Sequence, residues 1–269
     1  MDPTQLDLFA DYRPAAAPAA SRKAPQDLSD AELIAALPDA LLAEACALAA
    51  EAGRRRLGEA VGALVGLCRQ FVGFGADTRV PEQIAALEAL GAIGGAEACR
   101  AVSQMIVKGF VQGPNLVAAV IAASRLGVKL APEAALPLLG NADPEIRAAA
   151  CRCVRASGEI ATALIERLTD RDEEVSTAAA CALGAAGRRE ALKTLKRRLN
   201  ERPSPRVIEA LAAVADEEAI VFFVRLARKR PDLAAAVLSA LDEIELPRAA
   251  VVVSRLRSWL AESGRPASS

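Results

Sequence analysis

Ala89-Leu90-Gly91-Ala92-Ile93-Gly94-Gly95-Ala96-Glu97-Ala98 and Ala182-Leu183-Gly184-Ala185-Ala186-Gly187-Arg188-Arg189-Glu190-Ala191 are two versions of one pattern. In each, Leu-Gly closes an apolar helix, a second glycine makes the turn, and Glu-Ala opens the next helix. Equivalent helix ends fall at Leu90, Leu126, Val154 and Leu183, about 36, 28 and 29 residues apart, which is the period of a helical-hairpin repeat. Helix starts recur as well, at Asp143-Pro144-Glu145-Ile146, Asp172-Glu173-Glu174-Val175 and Ser204-Pro205-Arg206-Val207. Each supplies a side-chain cap, then a first-turn proline or acid, then the first core residue.

Working outward, Ser29 or Asp30 is the expected cap of the first helix, with the acid Glu32 just inside it. From there apolar residues recur at helical spacing. Breaks at Gly53, Gly75, Gly94-Gly95, Gly113-Pro114, Gly140-Asn141, Gly187 and Pro203 cut the chain into helices of about 10 to 15 residues. Aromatic residues make up only 3% of the chain, and strands favour the aromatic and β-branched residues that are scarce here. The expected fold is therefore all-α, a right-handed α-solenoid of antiparallel helical hairpins. These segments resemble the HEAT-like repeats of the phycobilisome-lyase type, in which Asp-x-x-Val-Arg, Ala-Leu-Gly-x-x-Gly and Glu-Ala recur. The resemblance is clear from Val80 to Trp259 and looser from Ser29 to Gly75. Its residues are the ones that build hairpins, so it implies a fold and a binding scaffold without naming a partner.

Four segments are expected along the 269 residues: a short peptide motif at 1–9, an Ala/Pro-rich flexible linker at 10–27, the repeat solenoid at 28–262 and a disordered tail at 263–269. Hydrophobic residues reach 53%, yet alanine supplies much of that, and the longest apolar candidate, Leu116 to Ala123, falls well short of the roughly 20 residues a spanning helix needs. Asp2 and Asp7 near the start do not suit a secretory signal. The reading is a soluble, cytoplasmic protein that does not engage membranes. The excess of arginine over lysine, with abundant alanine, matches the bias of high-GC bacterial genomes.

Chemistry is sparse. The chain has no histidine, which removes the commonest general base and metal ligand. Cys46, Cys68, Cys99, Cys151, Cys153 and Cys181 sit in apolar runs without Cys-x-x-Cys spacing, and read as small buried residues. No phosphate-cradling glycine loop occurs. A HEAT-fold iron hydroxylase is excluded by the missing histidine, and a HEAT-like DNA glycosylase is disfavoured because Trp259 is the single tryptophan. A bilin lyase remains a lesser alternative. The expectation is a non-enzyme with no metal, cofactor or small-molecule substrate.

Two features point to binding. Gln5-Leu6-Asp7-Leu8-Phe9 looks like the short motif by which bacterial replication and repair proteins bind the DNA polymerase sliding clamp, and all five positions match its favoured form. The resemblance implies that Gln5 reaches a small polar subsite, Leu6 packs at the rim, Leu8 and Phe9 fill a hydrophobic pocket, and Asp7 faces outward. Two adjacent apolar anchors suit a small hot spot. The same Leu6, Leu8 and Phe9 also suit a cap over the open end of the solenoid. The second feature is basic: Lys193, Lys196 and Arg197, then Arg225, Arg228 and Lys229, each triple on one helix face, with Arg197, Arg225 and Arg255 recurring at about the repeat period. Stacking aligns them as a ridge, expected on the concave side, where they can meet phosphates or an acidic protein surface. Cations at helix C-termini also answer the helix dipole without any ligand. The expected partners are thus the clamp, and DNA or a second protein on the solenoid.

Overall fold

The computed structural model describes residues 23–74 and 77–262. These form fifteen α-helices and no strand: α1 (Asp30–Ala36), α2 (Leu42–Arg55), α3 (Val61–Gln70), α4 (Pro81–Ile93), α5 (Gly95–Val107), α6 (Leu116–Arg125), α7 (Pro132–Leu139), α8 (Pro144–Arg152), α9 (Gly158–Arg167), α10 (Glu173–Ala185), α11 (Leu192–Glu201), α12 (Pro205–Ala212), α13 (Glu217–Lys229), α14 (Ala234–Asp242) and α15 (Pro247–Glu262). Successive helices pack as hairpins and the hairpins stack in two rows, an α-solenoid. Among the described residues no helix is long and apolar enough to cross a membrane.

The helix starts follow the caps. Ser29 and Glu32 form a reciprocal box: the Ser29 hydroxyl accepts from the Glu32 N–H at 3.3 Å, and the Glu32 carboxylate accepts from the Ser29 N–H at 2.8 Å. Asp143, Asp172, Ser204 and Asp216 each accept a backbone N–H from the first turn of α8, α10, α12 and α13. Within the expected linker, Pro25–Asp27 make a 3-10 turn whose Pro25 and Gln26 carbonyls accept from the Arg55 guanidinium at 3.0 Å. The final residues of the expected linker are thus tied to α2.

The even-numbered helices from α2 to α14 form one row and the odd-numbered helices from α3 to α15 the other. The even row is much more closely spaced, because its contact faces are small. Ala148, Ala149 and Ala150 of α8 and Ala178, Ala179 and Ala180 of α10 are all buried, while the odd row buries Leu195, Leu199, Phe223 and Leu256. Small side chains let helix axes approach, and a stack whose one row is tighter bends toward that row. The even row is therefore the inner one. Gly53 belongs to this contact and does not break a helix, as the sequence suggests: it lies inside α2, where a Cβ would stand 2.9 Å from the Ala89 Cα. Gly91 and Gly184 have the same role against Ala122 and Ala210. The turns themselves fall on Gly94 and Gly187, at φ 78° and 71°, where a side chain would be strained.

Between repeats, two buried or nearly buried side chains bridge neighbouring elements. Asn115, fully buried, accepts from the Val80 N–H at 2.9 Å and donates to the Thr78 carbonyl at 3.0 Å. Arg147 grips both Asp170 oxygens at 3.0 and 2.9 Å and also donates to the Asn141 and Ala142 carbonyls.

Candidate interaction surfaces

Gln5, Leu6, Asp7, Leu8 and Phe9 lie outside the described residues. The described chain begins beside a hollow of about 720 Å³, lined by Lys23, Ala24, Leu28, Ala36, Ala47 and Leu48. Leu41 and Leu42 next to it are 70% and 74% exposed.

The basic ridge falls on α11, α13 and α15, in the wider-spaced odd row. This corrects the expected concave placement: in a run of similar hairpins either helix can be counted first, and the small-residue faces decide which row lies inside. Lys193, Arg197, Arg225, Arg228, Lys229 and Arg255 are exposed. Lys196 is not available to a phosphate, because its side chain is only 14% exposed and its ammonium donates to Asp216 at 2.7 Å and Glu218 at 2.5 Å. Arg228 lies over the Trp259 ring, 5.7 Å from its centre. The ridge therefore offers six of the seven expected cations, and it faces outward.

The inner row carries a groove absent from the sequence-based expectations. Two cavities of about 400 Å³ each adjoin over α10 and share Arg152, Cys181 and Arg206. Arg152 comes from α8 and Arg206 from α12, so the cations of two neighbouring helices flank α10, whose Ala178, Ala182 and Ala185 leave room between them. In the first cavity the acids are matched: Glu174 pairs with Arg152, and Glu173 with Arg198 at 3.1 Å. In the second, Lys129, Arg152, Arg155 and Arg206 face a single acid, Glu209. Lys129 donates to the Arg152 carbonyl at 2.9 Å, closing the end of α8, while Arg155 and Arg206 are exposed and make no ion pair among the described residues. The signal in the sequence is an arginine on each of α8 and α12, Arg152 and Arg206, with the alanines of α10 between, and it emerges only once both helices are known to pack against α10.

Cys68, Cys151, Cys153 and Cys181 are buried, with Cys46 and Cys99 half-buried. Burial pushes the Cys68 and Cys151 thiols up to about 12 and those of Cys153 and Cys181 to about 11. At neutral pH these four are neutral thiols that pack as apolar groups.

No curated protein matches the chain. A family model described as HEAT repeats matches residues 132–212, which span α7 to α12 and hold the inner groove apart from Lys129, together with the first triple of the ridge. Over that span the chain is similar to HEAT repeats, and the same two-row stacking of helices runs on to either side of it among the described residues.

Proposed function

We propose that the protein is a non-catalytic scaffold recruited to the bacterial DNA polymerase sliding clamp through Gln5–Phe9, with the solenoid holding DNA or a second replication or repair protein. HEAT repeats are a fold for protein interaction, and the long stacked surface suits that use. The observation that carries the clamp reading is the match at all five positions, Gln5, Leu6, Asp7, Leu8 and Phe9. An apolar pair such as Leu8-Phe9 concentrates binding energy in a small hot spot. Affinity between the full chain and a purified bacterial clamp is expected near micromolar, about −8 kcal/mol, and is expected to vanish in Leu8→Ala/Phe9→Ala. Absence of binding, or equal binding by that variant, sinks the reading.

A second reading keeps the scaffold and gives the N-terminus a different task, in which Leu6, Leu8 and Phe9 cover the first hairpin. The apolar hollow beside Lys23 and the exposed Leu41 and Leu42 favour it.

A further inference from the structure

The strongest unassigned feature is the inner groove, and it is independent of the clamp reading. We propose that the groove over α10 binds an acidic, extended peptide segment of a partner protein. Its carboxylates are held by Arg155, Arg206 and Lys129, and its apolar side chains rest on Ala182 and Ala185.

Three observations lead there. First, charge is unbalanced in the groove: the acids Glu173 and Glu174 of the first cavity are already paired, whereas Arg155 and Arg206 meet no carboxylate within ion-pair distance among the described residues. A guanidinium presents a fork of donors that matches a carboxylate, so the ligand completes what the chain leaves open. Second, the floor is apolar and accessible: Ala182 is half-buried, and Ala185 and Ala186 are exposed. Beside arginines, such a floor takes a chain that alternates acidic and apolar side chains, as an extended peptide does on its two faces. Third, the patch is short: its arginines come from α8, the loop after it and α12, and Glu209 interrupts them. A duplex carries continuous rows of phosphates that need a long unbroken run of cations. A peptide with a few acids fits within the patch.

The test uses the full chain and a fluorescein-labelled ten-residue peptide of alternating Glu and Leu, followed by fluorescence anisotropy in low salt, with an alternating Lys/Leu peptide as the opposite-charge probe. Saturable binding of the Glu/Leu peptide alone is expected, weakened tenfold or more by Arg155→Glu/Arg206→Glu and changed less than twofold by Arg197→Glu/Arg225→Glu on the outer row. Melting curves check folding. If the charge reversal lowers the melting temperature, Arg155→Gln/Arg206→Gln replaces it and is expected to weaken binding at least threefold. The proposal is overturned by the absence of saturable binding, or by equal losses from the inner and outer variants. It is also overturned if a short DNA duplex binds more tightly than the peptide and loses affinity in the same Arg155/Arg206 variant, which makes the groove a nucleic-acid site.

Discussion

Arg147 meets four acceptors at once, the two oxygens of Asp170 and two carbonyls of the preceding loop, with side chains only 14% and 6% exposed at the two ends of the pair. Truncation leaves the nearly buried carboxylate with only the Asp172 N–H at 3.0 Å and the more distant Arg167 at 3.9 Å, and removes the guanidinium from two carbonyls. Arg147→Ala is therefore expected to cost about 2–4 kcal/mol in urea unfolding, well above the median surface ion pair. The same contact sets an acid limit. Arg147 holds the Asp170 carboxyl below the usual range, and Arg54 and then Arg55 draw Glu51 down to about 2. Both carboxyls are lowered in the folded state, so between about pH 5 and pH 2 the unfolded chain binds more protons. The stabilisation is complete above that window and is lost as pH falls through it. The melting temperature is expected to fall steadily below about pH 5, with a shallower acid limb in Arg147→Ala. A limb of unchanged slope in that variant would remove Asp170 from the explanation.

At the level of the helix, small residues do two separate jobs that look alike in sequence. Gly184 sits in α10 with its absent Cβ 2.6 Å from the Ala210 carbonyl and 2.9 Å from Leu195. Gly184→Ala must push α12 and α11 away, and a loss of about 1–3 kcal/mol is expected in thermal or urea unfolding, although alanine is the better helix former. Gly187, three residues on, meets nothing and serves backbone geometry alone. This distinction explains what could be read early and what could not. Caps at Ser29, Asp143, Asp172 and Ser204 are local chemistry and were legible from a few residues each. Gly53 was not, because its partner Ala89 belongs to α4, and Arg56 instead ends α2 in the left-handed conformation at φ 54°. The ridge cations were legible as helix faces, but their row was not, since the choice between inner and outer depends on contacts between repeats. Lys196 was misjudged for the same reason: its partners Asp216 and Glu218 come from the next hairpin.

Across the whole chain, stability is a sum of hairpins and nearest-neighbour contacts, so a change at one end is felt mainly there. This separates the two readings of the N-terminus. If Gln5–Phe9 serves a clamp, Leu8→Ala/Phe9→Ala abolishes clamp binding and leaves the melting temperature of the free protein within a degree or so. If those residues cover the first hairpin, the variant lowers the melting temperature by several degrees, by the usual conversion of about 1 kcal/mol into a few degrees. The buried thiols carry one more consequence. Cys68, Cys151, Cys153 and Cys181 are spread from α3 to α10 and are buried in the closed stack, whereas Cys46 and Cys99 are partly open. Cys181 lines the inner groove at 5% exposure, whereas a thiol reagent can reach Cys68, Cys151 and Cys153 only when their own stretch of the stack parts, so the order in which those three are alkylated ranks how often each stretch opens, and the molecule carries its own stopwatch for breathing.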